Sequence, residues 1–151
     1  MSCENLIVIN QGSVVSISGK IEHWKLCLTS FRENNRFSLR KMVYKLLEEN
    51  PGKELLNNPY VYIWSLNKKV YYVGYTSGGN ENRGLAILSL LVPFRTAQHS
   101  GKDRCKELKV INKEDDILSI SFIRTENVKM AKILERILIE SLIERPPCNK
   151  D

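Results

Sequence analysis

The chain has 151 residues, of which 42% are hydrophobic and 26% charged, with a net charge of +6. That length and apolar content suit one domain with a real core, and no run of about 18 apolar residues is present to form a membrane helix. The positive balance favours a polyanionic partner such as nucleic acid.

The opening residues, Met1 to Asn5, lack a basic region followed by an apolar run, so no secretory leader is expected. Leu6 to Ile9 and Val14 to Ser18 are short apolar or alternating runs that read as strands. Gln11 with Gly12 and Gly19 with Lys20 read as turns. Ile21 to Ser30 fits either a strand or a helix. Ser38 is a helix N-cap candidate, and Leu39, Met42, Val43, Leu46 and Leu47 recur at helical spacing, predicting a helix over about 38–49. Arg36, Arg40, Lys41 and Lys45 give that helix a basic outer face. Asn57, Asn58 and Pro59 form a breaker cluster and the best internal boundary.

Tyr60 to Leu66 and Val70 to Gly74 flank the polar break Asn67, Lys68, Lys69, which predicts a β-hairpin dense in tyrosine. Alternation puts Tyr60 on the side of Tyr62 and Tyr71 opposite Tyr72. Residues 81–91 read as a helix with Arg83 in its first turn. A cation opposes the helix dipole there, which fits either a bound phosphate or an exposed arginine without a ligand. Arg95, His99, Lys102, Arg104, Lys106 and Lys109 form the densest basic stretch, with a short helix expected over 102–111. Ile117 to Ile123 is a further strand.

The last helix, about Glu126 to Ile143, presents Lys129, Lys132, Arg136 and Glu140 to solvent. Glu135 is off that face, because its helical neighbours Val128, Ala131, Leu138, Ile139 and Leu142 are all apolar. A carboxylate there is costly unless something positive meets it. The alternatives are an internal salt bridge, a position at the edge of the apolar stripe where water reaches it, and a metal ligand in a cleft. The cysteines Cys3, Cys27, Cys105 and Cys148 are scattered without a C-x-x-C pair. Structural zinc is therefore not expected. Free thiols in a reducing compartment are, which points to the cytoplasm, or to the nucleus in a eukaryote.

Tyr60-Val61-Tyr62, Tyr72-Val73-Gly74, Arg83, His99, Glu135 and Asn149, in this order, resemble the GIY-YIG nuclease superfamily over about residues 59–150. The resemblance implies an α+β fold, a small three-stranded antiparallel sheet flanked by helices. Residues 59–151 would form the nuclease domain and residues 1–58 an N-terminal β/α extension. It also implies a metal-dependent DNA endonuclease of the restriction, mobile-element or repair type. By that resemblance Tyr62 and Tyr72 activate the attacking water, and which of them is the base stays open. Free tyrosine titrates near pH 10, so either needs a cation close by. Arg83 would hold the scissile phosphate, and Glu135 would bind Mg2+ or Mn2+. His99 matches a histidine near the site, and Gly74, Tyr75 and Asn149 would support it. Arg95, Lys102, Arg104 and Lys106 would contact DNA.

Two positions depart from the family pattern. Tyr60 stands where glycine is frequent, and Tyr75 where many members carry lysine. A homodimer would suit a restriction enzyme, which cuts both strands. The competing readings are a non-catalytic nucleic-acid-binding module on the same fold and a basic interaction protein whose match is accidental.

Overall fold

The computed structural model describes residues 3–33, 36–37, 39–47, 57–78, 84–91 and 113–149, with the backbone alone for 33, 36, 37, 39, 40, 89 and 90. Ser38, Arg83, Arg95, His99, Lys102, Arg104, Lys106 and the helix expected over 102–111 lie outside these residues.

The main sheet is antiparallel and has five strands in the order β1-β2-β7-β5-β6. They are β1 (Ile7–Gln11), β2 (Val14–Lys20), β5 (Tyr60–Leu66), β6 (Lys69–Thr76) and β7 (Ile117–Arg124). β3 (Arg32–Glu33) and β4 (Arg36–Phe37) form a separate two-stranded ladder. Among the described residues the longer helices are α1 (Ile21–Ser30), α2 (Leu39–Leu46) and α3 (Val128–Ser141), with a short 3-10 helix at Ala86–Leu90. The α+β class expected from the sequence holds. The expected three-stranded sheet does not, because β1 and β2 extend it through β7. Val15 faces Phe122 and Ile17 faces Ile120 in the β2–β7 register. Burying those pairs on one side gives the first hairpin a reason to join the sheet rather than stand apart. No described helix is long and apolar enough to cross a membrane.

Strand alternation divides the sheet into two unlike faces. Val15, Ile17, Leu118, Ile120, Phe122, Tyr60, Tyr62 and Trp64 are buried on the first. There they meet Trp24, Cys27 and Leu28 of α1, Met42 and Val43 of α2, and Leu85, Ile87 and Leu88 around the 3-10 helix. Trp24 donates its indole N–H to the Leu118 carbonyl at 3.0 Å, which seats α1 on β7. On the second face Val61, Val73 and Ala131 are buried, with Ile63, Tyr75, Ile123, Leu134, Leu138 and Ile139 packed around them. α3 therefore covers the β5–β6 half of this face.

The β5–β6 hairpin turns at Asn67 and Lys68, both at positive φ (49° and 70°). This is the type I′ geometry that matches strand twist. The Asn67 side chain is tied across to β7, accepting from Ile117 N–H at 2.9 Å. One register expectation fails. Trp64 pairs with Tyr72 and Ser65 with Val70, leaving Tyr71 as an extra residue in a bulge. Tyr71 consequently packs toward the same core as Tyr72, because a bulge re-aims the side chain beside it.

The helix expected over 81–91 is also shorter than its pattern. The described part is a turn followed by the five-residue 3-10 helix, which begins three residues after Arg83. The described residues 84–91 therefore supply no α-helix to support the dipole argument for Arg83. α3 is capped by Asn127, whose side chain accepts from Met130 N–H at 2.9 Å. Finally, Cys3 and Cys27 are joined in a disulfide across 24 residues, and Cys148 is disulfide-bonded too. The expectation of free thiols is overturned, and the assignment to a reducing compartment loses its basis. Closing a loop of that length stabilises by about 3 kcal/mol in the chain-entropy model.

Candidate functional site

Tyr62, Tyr72 and Gly74 come together on the first face of the sheet. Tyr62 pairs across the hairpin with Gly74. Its ring lies 5.9 Å from that of Tyr72 and 5.6 Å from Trp64, and Trp64 lies 4.9 Å from Tyr72. These separations are those of favourable offset and tilted aromatic pairs. Gly74 makes the cluster possible. A Cβ there would lie 2.5 Å from Tyr62 Cζ, 2.6 Å from Tyr62 Oη and 2.7 Å from Tyr72 Cε2. Tyr62 is 0% exposed, whereas Tyr72 is half-buried and reachable from solvent.

The cluster also holds the chain that follows Arg83. Trp64 Nε1 donates to the Gly84 carbonyl at 2.8 Å, and Gly84 N–H donates to Tyr60 Oη at 3.2 Å. A Cβ on Gly84 would lie 2.7 Å from Phe122 Cε1, so only glycine lets the backbone pass this closely. Trp64 and Gly84 are contributors that the sequence reading missed. Their signals were present: Trp64 shares a strand face with Tyr62, and Gly84 directly follows Arg83.

Glu135 and Tyr75 belong to the other face. Tyr75 packs with the residues beneath α3, and Lys132 Nζ lies 5.9 Å from its ring centroid, within reach of a cation–π attraction. Lys129, Lys132, Arg136 and Glu140 are exposed, as the helical pattern predicts, and Glu135 is half-buried on the sheet-facing side. Burial holds the Glu135 carboxyl above the ordinary value of 4.5, while the adjacent Arg136 pulls it down. Asn149 clamps the edge strand between the two faces. Its Oδ1 accepts from Val73 N–H and its Nδ2 donates to the Val73 carbonyl, both at 2.8 Å. The tyrosine pair and Glu135 thus approach β6 from opposite faces, with Asn149 at its open edge.

The raised carboxyl has a consequence for stability. A group whose folded pKa lies above its unfolded value holds its proton more tightly in the folded chain. Its contribution is complete below 4.5 and is lost as pH rises through the folded pKa. In chelator, Glu135→Gln is therefore expected to melt above the parent at about pH 7, with the gap closing toward about pH 4. Thermal melts across that range check it. A gap that widens on acidification would contradict the burial of this carboxylate.

Among the described residues no group of three or more His, Cys, Asp or Glu side chains could hold a metal ion. Among the described residues the candidate donor is the Glu135 carboxylate. One carboxylate with several retained waters is how Mg2+ is commonly held, whereas zinc would need more protein ligands. No family model matches the chain, and neither does any curated protein or solved structure.

Proposed function

We propose that the chain is a metal-dependent endonuclease that hydrolyses phosphodiester bonds in DNA, built around β6. The observation that carries this reading is the half-buried Glu135 carboxylate, set off the charged face of α3 among apolar helical neighbours. A structural role would be better served there by an apolar residue, since burying a carboxylate costs free energy unless it is paired or coordinates a cation. Mg2+ or Mn2+ would be held by the Glu135 carboxylate, with water completing its coordination. When bound, that ion would polarise a phosphate and offset charge on the leaving oxygen.

The chain's own residues supply the rest. Tyr72, half-buried beside Trp64, is the tyrosine that can take a proton from an attacking water. Tyr62, fully buried, positions it from behind and shields the site. Arg83, next to the anchored Gly84, would bind the scissile phosphate and offset its developing charge. Lys132 above Tyr75 supplies a cation near the position where many family members carry lysine. His99 would stand near the site, and Arg95, Lys102, Arg104 and Lys106 would hold the DNA backbone.

One observation favours the non-catalytic module instead: the tyrosine pair and Glu135 lie on opposite faces of the sheet. Plasmid and branched DNA incubated with magnesium or with chelator separate the two. Magnesium-dependent nicking is expected, reduced by about 10²–10⁴-fold in Tyr72→Phe and by at least about 10²-fold in Arg83→Ala. Binding without cutting on every DNA tested would establish the module. Cutting that chelator leaves intact would sink the metal-dependent mechanism. Affinity should fall steeply with salt, because phosphate contacts release counterions.

A further inference from the structure

The sheet has two edges, and they are treated differently. At β6 the chain's own tail covers the edge: Cys148 N–H donates to the Tyr71 carbonyl at 2.9 Å, and Asn149 takes both backbone groups of Val73. At β1 no described strand or tail pairs with the outer side. Edge strands in monomers are usually short, charged, bulged or interrupted by proline. β1 is a regular five-residue strand, Ile7-Val8-Ile9-Asn10-Gln11, without a charge, a proline or a register shift. Ile7 is 62% exposed and Ile9 51%, both on the side not covered by α1.

The register shows which backbone groups the edge offers. Gln11 and Val14 close the hairpin across the two-residue turn Gly12–Ser13 and form its hydrogen-bonded end pair. Counting back, Ile9 and Ile7 bond to β2, while Val8 and Asn10 aim their N–H and C=O groups outward. We propose that β1 is the interface for a second copy of this chain, paired antiparallel about a two-fold axis through Val8. Val8 then exchanges two hydrogen bonds with the partner's Val8. Ile7 lies across from the partner's Ile9, and Ile9 across from the partner's Ile7. Such an isologous pairing is self-complementary and closes at two chains. It joins two five-stranded sheets into one of ten strands.

Charge selects the same strand. α3 also exposes apolar residues, Met130, Ile133 and Ile137. They lie beside exposed Lys129, Lys132, Arg136 and Glu140, so a two-fold contact there would have to strip water from several charged side chains. β1 carries none, so two chains of net charge +6 can approach there with least repulsion. A strand pair alone buries less than the roughly 1,200 Å² of a stable standard interface, so the dimer is concentration-dependent.

Sedimentation of the full chain without DNA tests this, independently of any nuclease activity. The expected mass rises from one chain of 17.4 kDa toward two chains across roughly 1 μM to 1 mM. The double variant Ile7→Lys with Ile9→Lys places like charges opposite one another and should stay a single chain, with unchanged circular dichroism. Should that variant fail to fold, Asn10→Pro removes one outward N–H without touching the β1–β2 ladder, and it should also remain a single chain. A single-chain mass for the parent throughout, assembly beyond two chains, or an undiminished dimer in a folded variant would each overturn the proposal.

Discussion

Glu135→Gln is expected to lower magnesium-dependent DNA cleavage by about 10³-fold or more. Lewis-acid stabilisation by a bound cation is worth several kcal/mol in the transition state, and each 1.36 kcal/mol is tenfold in rate, so losing about 4 kcal/mol gives that factor. The substitution keeps the size and shape of the side chain and removes its charge. Packing against Val128, Ala131, Leu138, Ile139 and Leu142 should therefore survive. DNA binding should survive as well, because the proposed phosphate contacts are assigned to Arg83 and to the basic stretch Arg95 to Lys106, not to Glu135. Titration with Mg2+ followed by thermal melting supplies a readout apart from cleavage. The parent should gain stability as the cation binds and offsets the carboxylate's charge, and Glu135→Gln should not respond. Unimpaired cutting by a folded Glu135→Gln protein would remove this residue from the site. Cutting that is lost together with DNA binding would show the carboxylate acting on the fold rather than on the chemistry.

The largest expected effect on stability is at Gly74. Gly74→Ala sets a methyl group 2.5 Å from Tyr62 Cζ and 2.7 Å from Tyr72 Cε2. Neither ring is the loose end of a flexible chain. Tyr62 is wedged between Tyr60 and Trp64, with centroids at 6.1 Å and 5.6 Å, and it has no solvent into which to retreat. Overpacking of this kind costs about 3 kcal/mol, which for a domain of this size lowers the melting temperature by about 10 °C. Denaturant unfolding measures it directly. The same displacement moves Tyr72, so residual activity at a permissive temperature should fall along with stability. A change in unfolding free energy below about 0.5 kcal/mol would show that the tyrosine rings do not lie over this glycine.

Much of the molecule is legible locally. The alternation of Tyr60, Tyr62 and Trp64, the polar break at Asn67 and Lys68, and the strand from Ile117 depend only on near neighbours in the chain, so pattern and propensity suffice. The same holds for α3. Its solvent face of Lys129, Lys132, Arg136 and Glu140 is a consequence of 3.6-residue periodicity, and so is the displacement of Glu135 from it. Where local signals conflicted, tertiary packing prevailed. Ile21 to Ser30 is helical, with Trp24, Cys27 and Leu28 buried against β2 and β7.

By itself, then, the sequence determined the hairpin of tyrosines, the off-face carboxylate and the α+β class, because each is set by spacing along the chain. The tertiary structure alone decided what those features meet. It carried the first hairpin into the same sheet through the β2–β7 pairing and joined Cys3 to Cys27. It introduced the bulge that turns Tyr71 to the side of Tyr72, and it placed the tyrosine pair and Glu135 on opposite faces around β6. Strand order, register and disulfide pairing join residues far apart in sequence. Which face a side chain occupies follows from that pairing, since a shift of one residue reverses every side chain in a strand.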